Sequence, residues 1–598
     1  MALSDGRAAQ WATPIAVLLL VWAVYWPVRN AGFVWDDIIS FVENDWLRTG
    51  SQWQHYVLRD FHGWLNYFRP LGVALFTVQV RLFDNQPAAM HLVSLALHLG
   101  CTALVGAIVA HSTRVLGFSK WKRAAWLAAC MVAYGLHPAL IEAVAWIGCQ
   151  FELLVTGFTL MGAWAAIAMR LKGLRATTLG LCFFLAACAK ESAVVFPALV
   201  LLLAWAVLCR EHHNLDASAL RREFLARNLT AIVAMVAAGI AYLCFRYAAL
   251  GYLLHPAPMY GGELSTLGNV QKIAWTLWSY LRLLIAPAMD LNPVHSFDPA
   301  EFEVARPGLL AFATVAAVGM CWAIFAAVAR GSLAACLVLM FVAGLFPALN
   351  ILPMGYAIGL YHERYIMMAL AFCCALLPLV RWPRLDTLRP RAKGAIAGAI
   401  MLAWVASSLL TIRTTLPMWR DDETLWRWAI TRNATNEVVQ YNLIAALLRS
   451  GRLGEANAFV ERFAALGAEC ARCDIEVASF ELDRGNTERA ALLIDRFSAS
   501  ERIFRDLNAR GDYFLTAGQL ALAQGRPSEA SELLRAGIAL HPGEPSAYVL
   551  LAEALAGSGK RAEAIFAAER AVTKGTTAAA RSALKQWRDN FVEATTER

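Results

Sequence analysis

Eleven apolar runs, at about 11–29, 87–110, 123–139, 151–169, 176–189, 193–209, 229–249, 307–329, 332–349, 365–381 and 394–413, fill the first two thirds of the chain. Each approaches the ~20 residues that, at ~1.5 Å per residue, carry a helix across a hydrocarbon core of ~30 Å. In lipid, every backbone polar group must be satisfied within its own segment, so runs of this kind can only be helices. The first run, Trp11 to Val28, has no small-residue cleavage site behind it and reads as a retained span. The expected class is therefore all-α, a polytopic bundle of about 11 transmembrane helices.

Composition agrees, with 59% hydrophobic and 16% charged residues among 598 and a mean hydropathy of +0.49. Beyond residue 413 the character changes to Ala, Glu and Arg at helical spacing, which divides the chain into a membrane domain, 1–415, and a soluble domain, 416–598. The net charge of +8 is concentrated in short connectors: Arg114 to Arg123, Arg170 to Arg175, Arg210 to Arg227, Arg330, and Arg381 to Lys393. A basic nucleic-acid footprint would cluster on one soluble face, so this pattern excludes nucleic acid as a partner and marks cytoplasmic loops. Alternation then places the amino terminus inside, and the loops 30–86, 138–150, 190–192, 250–306 and 347–364 outside together with everything after 413. Val270 to Met289 is helical in pattern but should begin and end on the outer face. It reads as an interfacial or re-entrant helix, with an ordinary crossing as the alternative.

The outer loops collect the ionisable residues. Asp36 and Asp37 follow the first span directly; Arg69, His137 with Glu142 and Glu152, Lys190 with Glu191, and His362-Glu363-Arg364 follow in order. Each has a plain alternative: a turn or helix cap for the Asp pair, a favourable first-turn acid for Glu142 behind Pro138, neutralising ion pairs for Lys190-Glu191 and Glu363-Arg364. Taken together they resist those readings, because ionisable groups at a membrane boundary are costly and tend to mark a substrate path. A transporter should show matched halves and charges at mid-membrane. No half-to-half repeat is visible and the charges sit at the outer ends, so surface chemistry is favoured. Two carboxylates beside cations at a lipid boundary suit transfer from a lipid phosphate: a carboxylate removes the proton of an acceptor hydroxyl while Arg and Lys stabilise the departing phosphate.

The runs Phe33-Val34-Trp35-Asp36-Asp37, Phe68-Arg69-Pro70-Leu71, His91 to His98, His137-Pro138 to Ala145, Ala189-Lys190-Glu191 and Glu363-Arg364-Tyr365 together resemble the TMTC family, the transmembrane and tetratricopeptide-repeat O-mannosyltransferases of the GT-C superfamily. The resemblance covers nearly the whole chain in order. It implies a GT-C-type bundle and a glycosyltransferase using a polyprenyl-phosphate sugar, possibly mannose, as donor substrate. It assigns Asp36 as catalytic base with Asp37 as its neighbour, and Lys190, Arg364 and Arg69 to the donor phosphate. Glu142, His137, Glu363 and His362 are further site candidates. No divalent metal is predicted, but metal dependence stays open: no Asp-x-Asp motif occurs, and transfer from a monophosphate carrier can proceed by base and cation alone. The different class to weigh against an enzyme is a non-catalytic scaffold or a lipid-linked sugar transporter.

The soluble domain carries its own signature. Gly451, Gly485, Gly525 and Gly559 lie at spacings of 34, 40 and 34 residues, each followed five residues later by alanine: Ala456, Ala490, Ala530 and Ala564. That period predicts about four tetratricopeptide repeats forming an α-solenoid, closed by a polar helix near 576–595, with the long middle spacing as a loop insertion. Such a solenoid presents a concave face to an extended peptide, so a protein acceptor or partner is expected beside the lipid donor and the bilayer. Cys470 and Cys473, outside the membrane runs, could close a disulfide; zinc would need a second pair that is absent. The composition suits a bacterial inner membrane with periplasmic repeats, the alternative being an ER membrane with luminal ones.

Overall fold

The computed structural model describes residues 2–43, 57–58, 67–212, 214, 216–253, 264–351, 359–380, 390–465, 470–499, 507–542, 544–574 and 585. The closing helix expected near 576–595 and most of the last basic connector lie outside those residues. Among the described residues there are helices and turns and no strand. The chain forms two compact units. The first comprises Met1–Gly32, Phe68–Leu75 and Gln86–Arg420; the second comprises Phe33–Tyr67, Phe76–Asn85 and Asp421–Arg598.

In the first unit every expected apolar run is helical. Among the described residues eight helices are long and apolar enough to cross a membrane: Trp11–Asn30, Pro87–Val115, Ile147–Ala168, Lys172–Ala189, Glu191–Glu211, Ala217–Leu250, Pro307–Arg330 and Gly394–Trp419. Lys120–Gly135 and Pro138–Ala145 would make a ninth span, bent by 49° at the break. The two remaining runs are shorter in helical form, Leu333–Leu345 and Met367–Leu376, each extended by a 3-10 turn. Among the described residues eight helices, or nine with the bent pair, thus meet the length and apolarity of a span, and the finer arrangement of about eleven is not confirmed. Thr266–Ile285 is long enough but not among the helices apolar enough to cross. It buries Gln271, Thr276 and Ser279 and leaves Trp278 exposed.

Helix ends follow local chemistry. Asp216 Oδ1 accepts from the amide of Ala219 at 2.6 Å and starts Ala217–Leu250, which ends on Gly251 at φ 80°. Where helices must touch, a small residue lets them. At Gly344 an added Cβ would lie 2.7 Å from the Cα of Ala369, so Leu333–Leu345 packs against Met367–Leu376 at backbone distance.

The second unit contains a helix, Asp422–Ile430, then four antiparallel helix pairs: Glu437–Arg449 with Leu453–Ala465, Ala471–Asp483 with Thr487–Ser498, Leu507–Ala523 with Pro527–Leu540, and Pro545–Gly557 with Arg561–Lys574. The turns inside the pairs carry Gly451, Gly485, Gly525 and Gly559 at φ between 72° and 80°, a left-handed conformation that costs glycine little. The spaced alanines, Ala456, Ala490, Ala530 and Ala564, are all buried where paired helices meet. The middle spacing is not mainly a loop insertion: Leu507–Ala523 has 17 residues against 13 in the corresponding helices, so most of the extra length extends a helix.

Candidate functional site

In the first unit the ionisable residues sit at interruptions between helices. The helix ending at Gly135 breaks before Pro138, and residues 138–149 run as three short turns, all but Gly148 fully buried, before a new helix starts at Gln150. Pro138 has no amide to donate and forbids a continuous ladder at that point. Glu142 projects from these turns and Glu152 from the first turn of the next helix. Lys190 is an extended residue, φ −162°, between Lys172–Ala189 and the 3-10 turn Glu191–Val195. Arg364 lies in the 3-10 turn Glu363–Ile366. Irregular backbone in a helical bundle is tolerated where protein buries it, and here the turns are held by charged side chains.

These residues form one network. The Arg364 amide donates to Glu142 Oε2 at 2.9 Å, and its guanidinium Nη1 donates to Glu142 Oε1. Arg364 Nε lies 3.6 Å from Glu152 Oε1, the same oxygen that accepts from Lys190 Nζ. Arg364 also covers the Trp146 ring at 5.0 Å and the Tyr365 ring at 4.6 Å, and Lys190 Nζ lies 4.8 Å from that Tyr365 centroid. Beside it, Arg69 Nε donates to Glu191 Oε2 at 3.0 Å and packs over Phe151 at 5.0 Å. Buried charges survive only when paired, and each of these cations has its carboxylate.

Glu363 turns to other partners than Arg364. Its Oε1 accepts from the amide of Asn292 at 2.9 Å and lies 2.8 Å from His295 Nε2, whose ring stacks on Tyr361 at 3.9 Å. His362 Nδ1 reaches the carbonyl of Pro293 at 3.2 Å, and the Tyr280 hydroxyl donates to the His362 carbonyl. Burial, followed by the nearby Arg364 charge, holds the His362 imidazole well below its usual pKa, so it is neutral at physiological pH. Glu363 and His362 therefore bind the 290–295 segment to the turn that bears Arg364. His137 serves its own turn: its Nδ1 accepts from Ala139 N at 3.3 Å and caps Pro138–Leu140.

Asp36 and Asp37 belong to the second unit. Trp35 before them takes φ 56°, and its amide donates to Asp422 Oδ1 at 2.8 Å. The Asp37 amide returns to Val34 O and that of Ile38 to Trp35 O, both at 3.0 Å. Asp37 is buried, whereas Asp36 is half-buried, so Asp36 is the carboxylate of the pair that solvent reaches more readily. Cys470 and Cys473 are joined in a disulfide at the start of Ala471–Asp483. Among the described residues no three His, Cys, Asp or Glu side chains gather in a way that could hold a metal ion.

Sequence reasoning did not single out Trp146, Asn292, His295, Tyr361 or Asp422. The Asp290-Leu291-Asn292-Pro293-Val294-His295 run was a recoverable signal, carrying Asp, Asn and His directly after the helix read at Val270 to Met289. Comparison with known families matches residues 521–587 to the tetratricopeptide repeat, a stretch that takes in the helices Pro527–Leu540, Pro545–Gly557 and Arg561–Lys574. No curated protein and no solved structure matches the chain. The chain thus carries tetratricopeptide repeats, a type that generally mediates protein–protein interaction, behind a bundle whose apolar helices are consistent with a multi-pass membrane protein.

Proposed function

We propose that this chain is a membrane glycosyltransferase of GT-C type that moves a sugar from a polyprenyl-phosphate carrier to a hydroxyl, on a Ser or Thr of a protein, at the outer face of the membrane. The observation that carries the reading is the gathering of Arg364 and Lys190 around one carboxylate, Glu152, and one aromatic ring, Tyr365, at breaks between apolar helices. A guanidinium and an ammonium oriented in this way suit the oxygens of a lipid phosphate at a bilayer boundary. Arg69, held by Glu191, would be the third cation.

In the reaction, the acceptor oxygen forms a bond to the anomeric carbon as the bond from that carbon to the phosphate oxygen breaks. The role of base falls to Asp36 by the resemblance alone: a carboxylate takes the hydroxyl proton, and the electron pair leaves on the polyprenyl phosphate, whose charge cations stabilise. The solenoid would hold the acceptor protein. Full-length protein in nanodiscs, given a panel of polyprenyl-phosphate monosaccharides with peptide acceptors, should release polyprenyl phosphate and yield glycopeptide, and Arg364→Ala should raise the Michaelis constant for the donor as well as slow turnover.

A second reading, a non-catalytic scaffold or lipid-linked sugar transporter, is favoured by one observation: every cation of the cluster already has a carboxylate partner. It gains if no donor turns over while a lipid-linked sugar still binds.

A further inference from the structure

Asp422 joins three parts of the second unit through one buried carboxylate. Its Oδ1 accepts from the backbone amide of Trp35 at 2.8 Å and from the indole of Trp426 at 2.9 Å; its Oδ2 accepts from Arg449 in the first repeat helix. The neighbouring Asp421 is the helix cap, accepting from Thr424 N at 2.8 Å, so Asp422 is not needed to start the helix. The Trp35 ring meets Trp426 edge-on, with centroids 5.1 Å apart.

Trp35 stands at φ 56°, a left-handed conformation that a bulky residue rarely adopts and that persists only where surrounding contacts impose it. The next two residues are Asp36 and Asp37, and their direction follows from the backbone turn at Trp35. We propose that Asp422 is the positioning residue of the acidic pair: through the Trp35 amide it fixes the turn that aims Asp36, and through Arg449 it ties that turn to the first tetratricopeptide repeat. The catalytic consequence rests on the glycosyltransferase reading; the anchoring does not. Burial pushes the Asp422 carboxyl above its usual pKa despite Arg449 and the Trp35 amide, which fits a group retained for its hydrogen bonds and not for an easy charge.

The test compares Asp422→Ala, Asp422→Asn and Arg449→Met in the full-length protein. Asparagine keeps a carbonyl oxygen for Trp35 and Trp426 but gives up Arg449. Hydrogen exchange over residues 33–38 should quicken about tenfold or more in Asp422→Ala, the factor that leaving the buried Trp35 amide without its acceptor accounts for, and stay near wild type in Asp422→Asn. If donor transfer is measured, Asp422→Ala should lower kcat about tenfold or more with the donor Michaelis constant unchanged, and Asp422→Asn should restore it. General loss of fold would speed exchange across the repeats as well, which Arg449→Met controls for. Unchanged exchange at 33–38 in Asp422→Ala overturns the anchor, and faster exchange with unchanged kcat overturns the positioning role. Absence of transfer by the wild type with every donor overturns the enzyme reading instead, and the exchange result then decides the anchor alone.

Discussion

The amide of Arg364 and the carboxylate of Glu142 meet at 2.9 Å across 222 residues of sequence, and the guanidinium of the same arginine closes on the other carboxylate oxygen. One side chain thereby satisfies both the backbone and the charge of a turn that a regular helix would have satisfied itself. The contact makes Glu142 a structural partner of Arg364 as much as a candidate for chemistry.

A stability prediction follows directly. Arg364→Ala leaves Glu142 and Glu152 buried with less compensation and should cost about 3–5 kcal/mol, the range for breaking a buried pair from one side. Glu142→Gln keeps an acceptor for the Arg364 amide and should cost less. In the double variant Arg364→Ala with Glu142→Gln, much of the loss should return. Thermal unfolding of the four proteins in detergent completes the cycle, and additive losses would show that the pair is not coupled.

Asp36 and Asp37 should differ in kind. On the proposed glycosyltransferase reading, Asp36→Asn should leave a folded protein whose transfer rate falls by ~10²- to 10⁴-fold, the usual weight of general-base help, with donor binding kept. Asp37→Asn should cost less in rate, its carboxylate being buried within the turn. Rates with a lipid-linked sugar, together with a direct measure of donor binding, separate the two. A wild-type rate in folded, donor-bound Asp36→Asn would move the base elsewhere.

How far the sequence reaches can be judged from particular residues. The apolar runs were legible because lipid permits only helices there, and the repeats because glycine at a left-handed turn and alanine at a crowded helix crossing leave a 34-residue period. Pro70–Phe83 was not foreseen as a helix. At 14 residues it is too short to read as a span and lay inside a stretch taken for loop. Arg364, Lys190, Glu142 and Glu152 were all found because charge at a membrane boundary is costly, but their pairing was not, since no local rule links positions 142, 152, 190 and 364. Asp422 was hidden in Asp421-Asp422-Glu423, where an acidic run before a helix reads as capping, and capping accounts for Asp421 alone.

The disulfide between Cys470 and Cys473 closes a loop of only two intervening residues. By loop-closure entropy so short a ring contributes about 1–2 kcal/mol, far less than a long-range bridge. Cys470→Ser with Cys473→Ser should therefore keep the solenoid folded with a slightly lower unfolding midpoint. Alkylation followed by intact mass should find both thiols blocked in the protein made under oxidising conditions. A collapse of the solenoid in the double variant would contradict this.

Acidity should change the stability of the second unit. Burial raises the pKa values of Asp422, Asp474 and Glu476 even though Arg449 and Arg496 pair with the two aspartates, and at Glu476 the Asp512 carboxylate adds to the rise. A carboxyl whose folded pKa lies above its unfolded value binds its proton more tightly in the folded state. Its charged form therefore weakens the fold at neutral pH, and that penalty is relieved as pH falls through the raised value. Glu423 has the opposite sign: despite burial, hydrogen bonds from Arg427 and Arg452 hold it below the usual carboxylate range, so its contribution is kept until the pH falls through that lower value. The windows do not coincide. Between neutrality and the ordinary carboxylate pKa of ~4, the three raised groups take up protons while Glu423 stays charged, so the repeats should become more stable on mild acidification. Hydrogen exchange of the Ala471–Asp483 helix in the full-length protein, corrected for the intrinsic pH dependence of exchange, should show greater protection at mildly acidic pH than at neutral pH. Glu476→Gln should be more stable than wild type at neutral pH and show a flatter dependence. Protection that falls steadily from neutrality downward would mean that the ion pairs of Asp422 and Asp474 outweigh their burial.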